Sequence, residues 1–213
     1  MKRDDAIAGW TRDEVRVLDT LDSPGRIGAF LDEVSYSSDP FYRCPRRVLA
    51  DRKANCVDGA LFAAACLRRI GHRLFVMEMT AYRDDDHFLA IFKRDGHLGA
   101  VAKSNFTGLR FREPIHRTLR ELVVSYFAEY YNMEFDRSLR GYSRPIDLSA
   151  YDGIGWTTRD EAADAIIDGV VAAPHYPLLS PAQVAALTPI DRRTYDAGML
   201  GVNPDGVYDP AKH

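Results

Sequence analysis

The chain has 213 residues, 46% of them hydrophobic and 28% charged, with a formal net charge of −3. That balance belongs to an ordinary folded protein with enough apolar material for a core, and it excludes the strongly basic profile of a nucleic-acid or anionic-membrane binder. No apolar run approaches membrane-spanning length, no secretory leader pattern opens the chain, and three cysteines lack paired spacing; the expectation is free thiols in the cytoplasm.

Residues 1–7 are polar and read as loose. Thr11-Arg12-Asp13-Glu14 has the form of a capping box and predicts a helix to about Leu21. Ser23-Pro24 opens a second helix, with Ile27, Phe30, Leu31 and Val34 at helical spacing on its inner face. Residues 36–40 read as a loop, and Pro45 starts a third, short helix through Val48 and Leu49. Residues 54–71 predict one helix buried on all sides. Asn55 precedes it, Gly71 stands just past its end, and Arg68 and Arg69 suit the carbonyl end of its dipole. From Val57 to Leu67 nearly every side chain is small or apolar on every face. Gly59 costs about 1 kcal/mol relative to Ala inside a helix, which predicts close approach of another backbone.

Strands follow at 72–81 and 86–93. Asp95-Gly96 is a strong hairpin signal, and a third strand runs from Gly99 to Asn105. With a two-residue turn, Arg94 pairs with His97 and His87 falls opposite Ser104; a three-residue turn would bring Asn105 there instead. Residues 106–114 read as strand or loop. Thr118 to Tyr131 predicts a helix with a stripe through Leu122, Tyr126 and Tyr130, and the aromatic cluster around it reads as core or, alternatively, as a substrate wall. Residues 140–145 read as a loop, Thr158 caps a helix through Ile167, His175-Tyr176-Pro177 turns the chain, and Ser180-Pro181 and Pro189-Ile190-Asp191 start two last helices. Helix at both ends with a short antiparallel sheet between them is an α+β arrangement. It is read as a single domain over 1–213, with a core at 45–114 and a mostly helical extension at 115–213.

Cys56 stands in the first turn of the buried helix. Free backbone N–H groups and the positive end of the dipole there favour a thiolate, and could hold an oxyanion formed when it attacks a carbonyl. Such a nucleophile needs a base, which His87 supplies, and a group to orient that base, for which Ser104 is the candidate. A helix-start Cys, a second-strand His and a polar residue on the third strand, in that order, resemble the transglutaminase-like branch of the papain-type cysteine enzymes. The resemblance covers about 47–114. It rests on Asn55-Cys56-Val57-Asp58-Gly59-Ala60, Asp85-Asp86-His87-Phe88 and the run Gly99 to Asn105. It implies a papain/transglutaminase-like core, Cys56 as nucleophile and His87 as general base and acid. The family's usual Asp at the third position is replaced within Lys103-Ser104-Asn105; a neutral residue can still fix the ring's tautomer.

The function expected is cysteine-dependent acyl transfer on an amide, ester or thioester through a thioester on Cys56, as an amidase or peptidase or as an amide-forming enzyme. The alternative is a non-catalytic member of the same fold acting as a binding or scaffold protein. The partner expected is a small molecule or peptide carrying an acyl group, with no nucleic acid, membrane, cofactor or metal, and the oligomeric state stays open. Against a metal, no ligand set has the usual spacing. Arg83-Asp84-Asp85-Asp86 reads as a solvated turn, or else as a cleft edge that biases His87 or a cation site. Cys66 reads as a small core residue and Cys44 as chemically idle.

Overall fold

Local capping chemistry sets where the helices begin. In the computed structural model, which describes residues 9–209, α1 (Arg12–Thr20) starts at a complete capping box: Glu14 N–H donates to Thr11 Oγ1 and Thr11 N–H donates to the Glu14 carboxylate. α2 (Pro24–Glu33) starts at Ser23 with Pro24 in its first turn, and buries Ile27, Phe30 and Leu31. Two short strands, β1 (Ser35–Tyr36) and β2 (Lys53–Ala54), flank α3 (Pro45–Asp51) and pair in parallel, although the sequence reads as loop from Tyr36 and as helix from Ala54. The polar residues 1–7 and the last residues of the C-terminal tail lie outside the described residues.

α4 (Cys56–Arg69) is the axis of the molecule. Every residue from Val57 to Leu67 is buried, as the all-round apolar pattern predicts. Its end is a Schellman arrangement: Gly71 takes φ +90°, its N–H donates to Arg68 O, and His72 N–H donates to Leu67 O. Gly59 allows the close approach the sequence predicted, since a Cβ there would collide with Cβ of Lys103 and sit 3.3 Å from its Cα.

The strands after α4 are β3 (Phe75–Ala81), β4 (His87–Arg94), β5 (His97–Val101) and β6 (Arg112–His116); then come α5 (Leu119–Val124), β7 (Leu139–Ser143), β8 (Ile146–Asp147), α6 (Ala162–Val171), β9 (His175–Pro177), α7 (Pro181–Ala185) and α8 (Arg192–Gly198). They build a seven-stranded antiparallel sheet in the order β6-β5-β4-β3-β7-β9, with β8 also on β3. Asp95 and Gly96 take φ +50° and +84°, as a two-residue hairpin turn requires, and Arg94 pairs with His97. Phe88, Ala90 and Phe92 pack toward α4, while Leu89 and Ile91 pack with Leu122, Tyr126 and Tyr130 on the other face. Helices and antiparallel sheet together make the protein α+β.

Beyond Pro114 the chain is less helical than its sequence pattern predicts. The helix expected to run to Tyr131 stops at Val124, where Ser125 turns the chain and Tyr126 and Tyr130 send their hydroxyls to Arg110 O and Asp85 O. The presumed loop at 140–145 contains β7, with Leu139, Gly141 and Ser143 buried in period two, and His175-Tyr176-Pro177 is β9 beside it. Gly141 masks the strand pattern, yet glycine is required: a Cβ would lie 2.9 Å from Thr80 Oγ1 and Tyr176 O.

Lys103 is buried, and its ammonium donates to Leu31 O and Val34 O at the carbonyl end of α2. Burial, aided by Arg110 and opposed by Asp32, pulls its pKa down to about 8. The unfolded chain therefore holds this proton more tightly than the folded one, and Lys103 contributes stability that rises with pH above about 8. Urea unfolding at pH 8.0 and 9.5 should show the wild type gaining about 1–2 kcal/mol more than Lys103→Met over that interval. Equal gains would place the ammonium in water.

Candidate active site

Cys56 is the first residue of α4, and the helix start around it is already in use. Asn55 Oδ1 accepts from Asp58 N–H at 3.0 Å, and the Asp58 carboxylate accepts from Asn55 N–H at 3.1 Å and from Arg43 N–H at 2.7 Å. Asp58 is itself fully buried and sets a negative group at the positive end of the dipole. The half-buried Cys56 thiol donates to Asp86 O at 3.7 Å. Burial pushes its pKa up to about 12; the Phe88 N–H opposes this, and the charges of Asp85 and Asp58 reinforce it. The thiolate expected at this helix start is thus a thiol, because desolvation and two carboxylates outweigh the dipole.

His87 opens β4, paired with Met79 of β3, and is 4% exposed. By the two-residue repeat its side chain points with Leu89 and Ile91, while Cys56 Sγ lies against the backbone of Asp86 and Phe88 at the strand's start, and both side chains line one cavity. The ring's Nε2 is 2.8 Å from Leu109 O. A carbonyl only accepts, so Nε2 carries the proton and Nδ1 is left as the basic nitrogen. Burial pulls the pKa down to about 4, with the Leu109 carbonyl opposing and Arg112 adding to the fall. Thiol and imidazole are both neutral.

The hairpin register continues to Ala90 opposite Val101, where the paired ladder stops short of His87. Ser104 lines the same cavity as Cys56 and His87, with its Oγ accepting from Phe106 N–H at 3.0 Å. The hydrogen bond that holds the ring comes instead from Leu109, in a short 3-10 turn at Thr107–Leu109. A backbone carbonyl leaves no trace in residue types, so sequence reasoning had no means of finding it. Asn105, the other candidate, is bonded to the C-terminal segment at Asn203 and Gly206.

The shared cavity is small, about 30 Å³, with Leu109, Tyr130 and Gly206 also in its wall. Cys56 opens on its other side to a wider cleft of about 610 Å³, beside Asn55, Tyr36, Glu78 and Asp86. The acidic loop is a built cleft edge: Ser138 Oγ donates to the Asp84 carboxylate, Tyr130 OH donates to Asp85 O, and Ala81 N–H donates to the Asp86 carboxylate. Of the aromatic cluster, Tyr126 is core and Tyr130 reaches the cavity. His175, one of the isolated histidines of the sequence, lies 2.7 Å from the buried Glu78 carboxylate. Cys44 and Cys66 are buried and free. Among the described residues no His, Cys, Asp or Glu cluster is arranged for a metal ion, and no helix is long and apolar enough to cross a membrane.

Fold and site together define a mixed α+β protein in which a helix-start cysteine and a strand-start histidine face one cavity. No family model matches the sequence, and no curated protein matches it. Among solved structures the chain is similar to LapG of Legionella pneumophila, over 58% of this chain and 93% of that one, at 13% identity and a TM-score of 0.33. A likeness at that level carries no argument about chemistry.

Proposed function

We propose that the protein is a cysteine-dependent acyl-transfer enzyme with a papain/transglutaminase-like core, acting on an amide, ester or thioester of a small molecule or peptide. The observation that supports this best is the convergence of Cys56 and His87 on one cavity with the ring's proton held on Nε2. Cys56 Sγ attacks the carbonyl carbon while His87 Nδ1 takes the thiol proton; the imidazolium then protonates the leaving group as the tetrahedral adduct collapses to a thioester. Water or an amine, deprotonated by the same nitrogen, releases the acyl group. Because both groups start neutral, proton transfer accompanies attack instead of preceding it. No cofactor enters these steps, and three free thiols suit the cytoplasm.

The second reading is a non-catalytic scaffold on the same fold, favoured by the thiol's bond to Asp86 O and by the tight cavity. Iodoacetamide separates the two. An acyl-transfer site predicts that Cys56 is alkylated fastest of the three thiols and that His87→Ala slows it; a scaffold predicts a rate indifferent to His87.

Ser104 is proposed as a supporting polar group of the cavity. Since Leu109 O already holds the ring, Ser104→Ala should lower turnover by less than about tenfold, against the ~10²–10⁴ that general acid–base catalysis supplies. A loss beyond about a hundredfold in steady-state kinetics would make Ser104 the true orienter.

A further inference from the structure

The C-terminal segment crosses the site. Residues 203–207 follow α8, and the clasp that holds them is the Asn105 side chain. Its Nδ2 donates to Asn203 O at 2.8 Å and to Gly206 O at 3.0 Å, and its Oδ1 accepts from Asn203 N–H at 2.8 Å. A buried amide thus spends donors and acceptor on one short stretch of backbone. Asn203 tightens that stretch into a turn: its own Oδ1 accepts from Asp205 N–H, and Pro204–Gly206 form a 3-10 turn. Gly206 then lies flat against the Tyr36 ring, where a Cβ would come within 2.5 Å.

Gly206 and Tyr36 stand in the walls of both the small cavity and the wide cleft, the same two spaces that Cys56 faces. With the segment in place the His87 side has about 30 Å³, room for a water or two but for no acyl group or leaving group. On the other side the half-buried thiol borders the wide cleft and donates to Asp86 O. A substrate that reaches Sγ from the wide cleft finds no space beside His87 unless the Gly206–Tyr36 wall moves.

We infer that residues 203–207 form an autoinhibitory strap, latched by the Asn105 side chain, that holds the Cys56–His87 site closed until it is released. The inference rests on the reading of Cys56 and His87 as the reactive pair. Release breaks the three hydrogen bonds of the Asn105 side chain and the Gly206–Tyr36 ring contact, none of which belongs to the seven-stranded sheet or to α4.

The test is the rate of Cys56 alkylation by N-ethylmaleimide in the full chain, followed by tandem mass spectrometry, with Cys44 and Cys66 as internal references. Asn105→Ala removes the latch; Gly206→Ala keeps the Asn105 side chain but drives a Cβ into the Tyr36 ring and to 3.1 Å from Asn105 Nδ2. The strap predicts that each variant raises the Cys56 rate at least about tenfold while the two buried thiols stay slow. Unchanged Cys56 rates in both variants overturn it. So does a rise shared by all three thiols in both, since Asn105 and Gly206 would then be holding the core together. Alkylation reads access alone. Variants that open the site without any Cys56-dependent turnover on aryl esters would refute the acyl-transfer reading and leave the strap standing.

Discussion

Cys56→Ala is expected to lower turnover by about 10⁴-fold or more on any ester or amide the protein cleaves, while changing its unfolding midpoint little. The thiol is the reagent in the proposed mechanism, and no other group at the site replaces it: His87 Nε2 is tied to Leu109 O, and Ser104 Oγ receives Phe106 N–H. Its structural contribution is slight, because Cys56 is half-buried and its one side-chain donor bond is a long one to Asp86 O. Steady-state kinetics on a panel of aryl esters and peptide amides, with urea unfolding of the same samples, reads both halves. Near-full turnover in the alanine variant would remove Cys56 from the mechanism.

Arg43→Met is expected to cost about 3 kcal/mol in urea unfolding, the largest single-site loss foreseen outside the apolar core. The Arg43 side chain is 4% exposed and spends its guanidinium on Asp51 at 3.0 Å, Ser37 Oγ at 2.9 Å and the Asp39 carboxylate, with Asp58 at 3.9 Å. Asp39 and Asp51 are partly exposed and can turn to water, but Asp58 has no exposure at all. Without the cation, Asp58 stays buried with backbone donors only, and its pKa, already raised to about 6 by burial, rises further. Folded-state protonation above the unfolded value means that the stability lost to this group grows as pH rises above about 4 and levels off beyond its folded pKa. The variant should therefore be closest to wild type at low pH. A loss under about 1 kcal/mol at pH 7 would mean that the backbone donors suffice. Since Asp58 closes the capping box on which Cys56 stands, this site couples fold stability to the position of the thiol.

What could be read from the sequence was the local chemistry. The starts at Thr11, Ser23 and Asn55, the Gly71 stop and the Asp95-Gly96 turn each depend on residues within one turn of one another, and each appears where the pattern predicted it. The pairing of Arg94 with His97 followed from the turn alone. What failed to show was assembled at long range or by backbone atoms. The parallel pairing of β1 with β2, the placing of β7 and β9 beside β3, the Leu109 carbonyl on His87 and the Asn105 clasp all join segments with no local signature. The thiolate expectation failed for a related reason: a helix start is visible in a sequence, whereas the depth of burial and the nearness of Asp85 and Asp58 are not.

The central claim is that Cys56 takes up an acyl group with His87 as its base, and trapping that group tests it most directly. The Asn105→Ala chain, in which the strap is unlatched, is mixed with p-nitrophenyl acetate at pH 7, quenched in acid within a turnover, and mapped by tandem mass spectrometry, with His87→Ala made in the same background. The account predicts acetyl on Cys56 and not on Cys44 or Cys66, with the rate of labelling falling at least about a hundredfold in His87→Ala. Acetyl elsewhere, or labelling of Cys56 at the same rate without the imidazole, would contradict it.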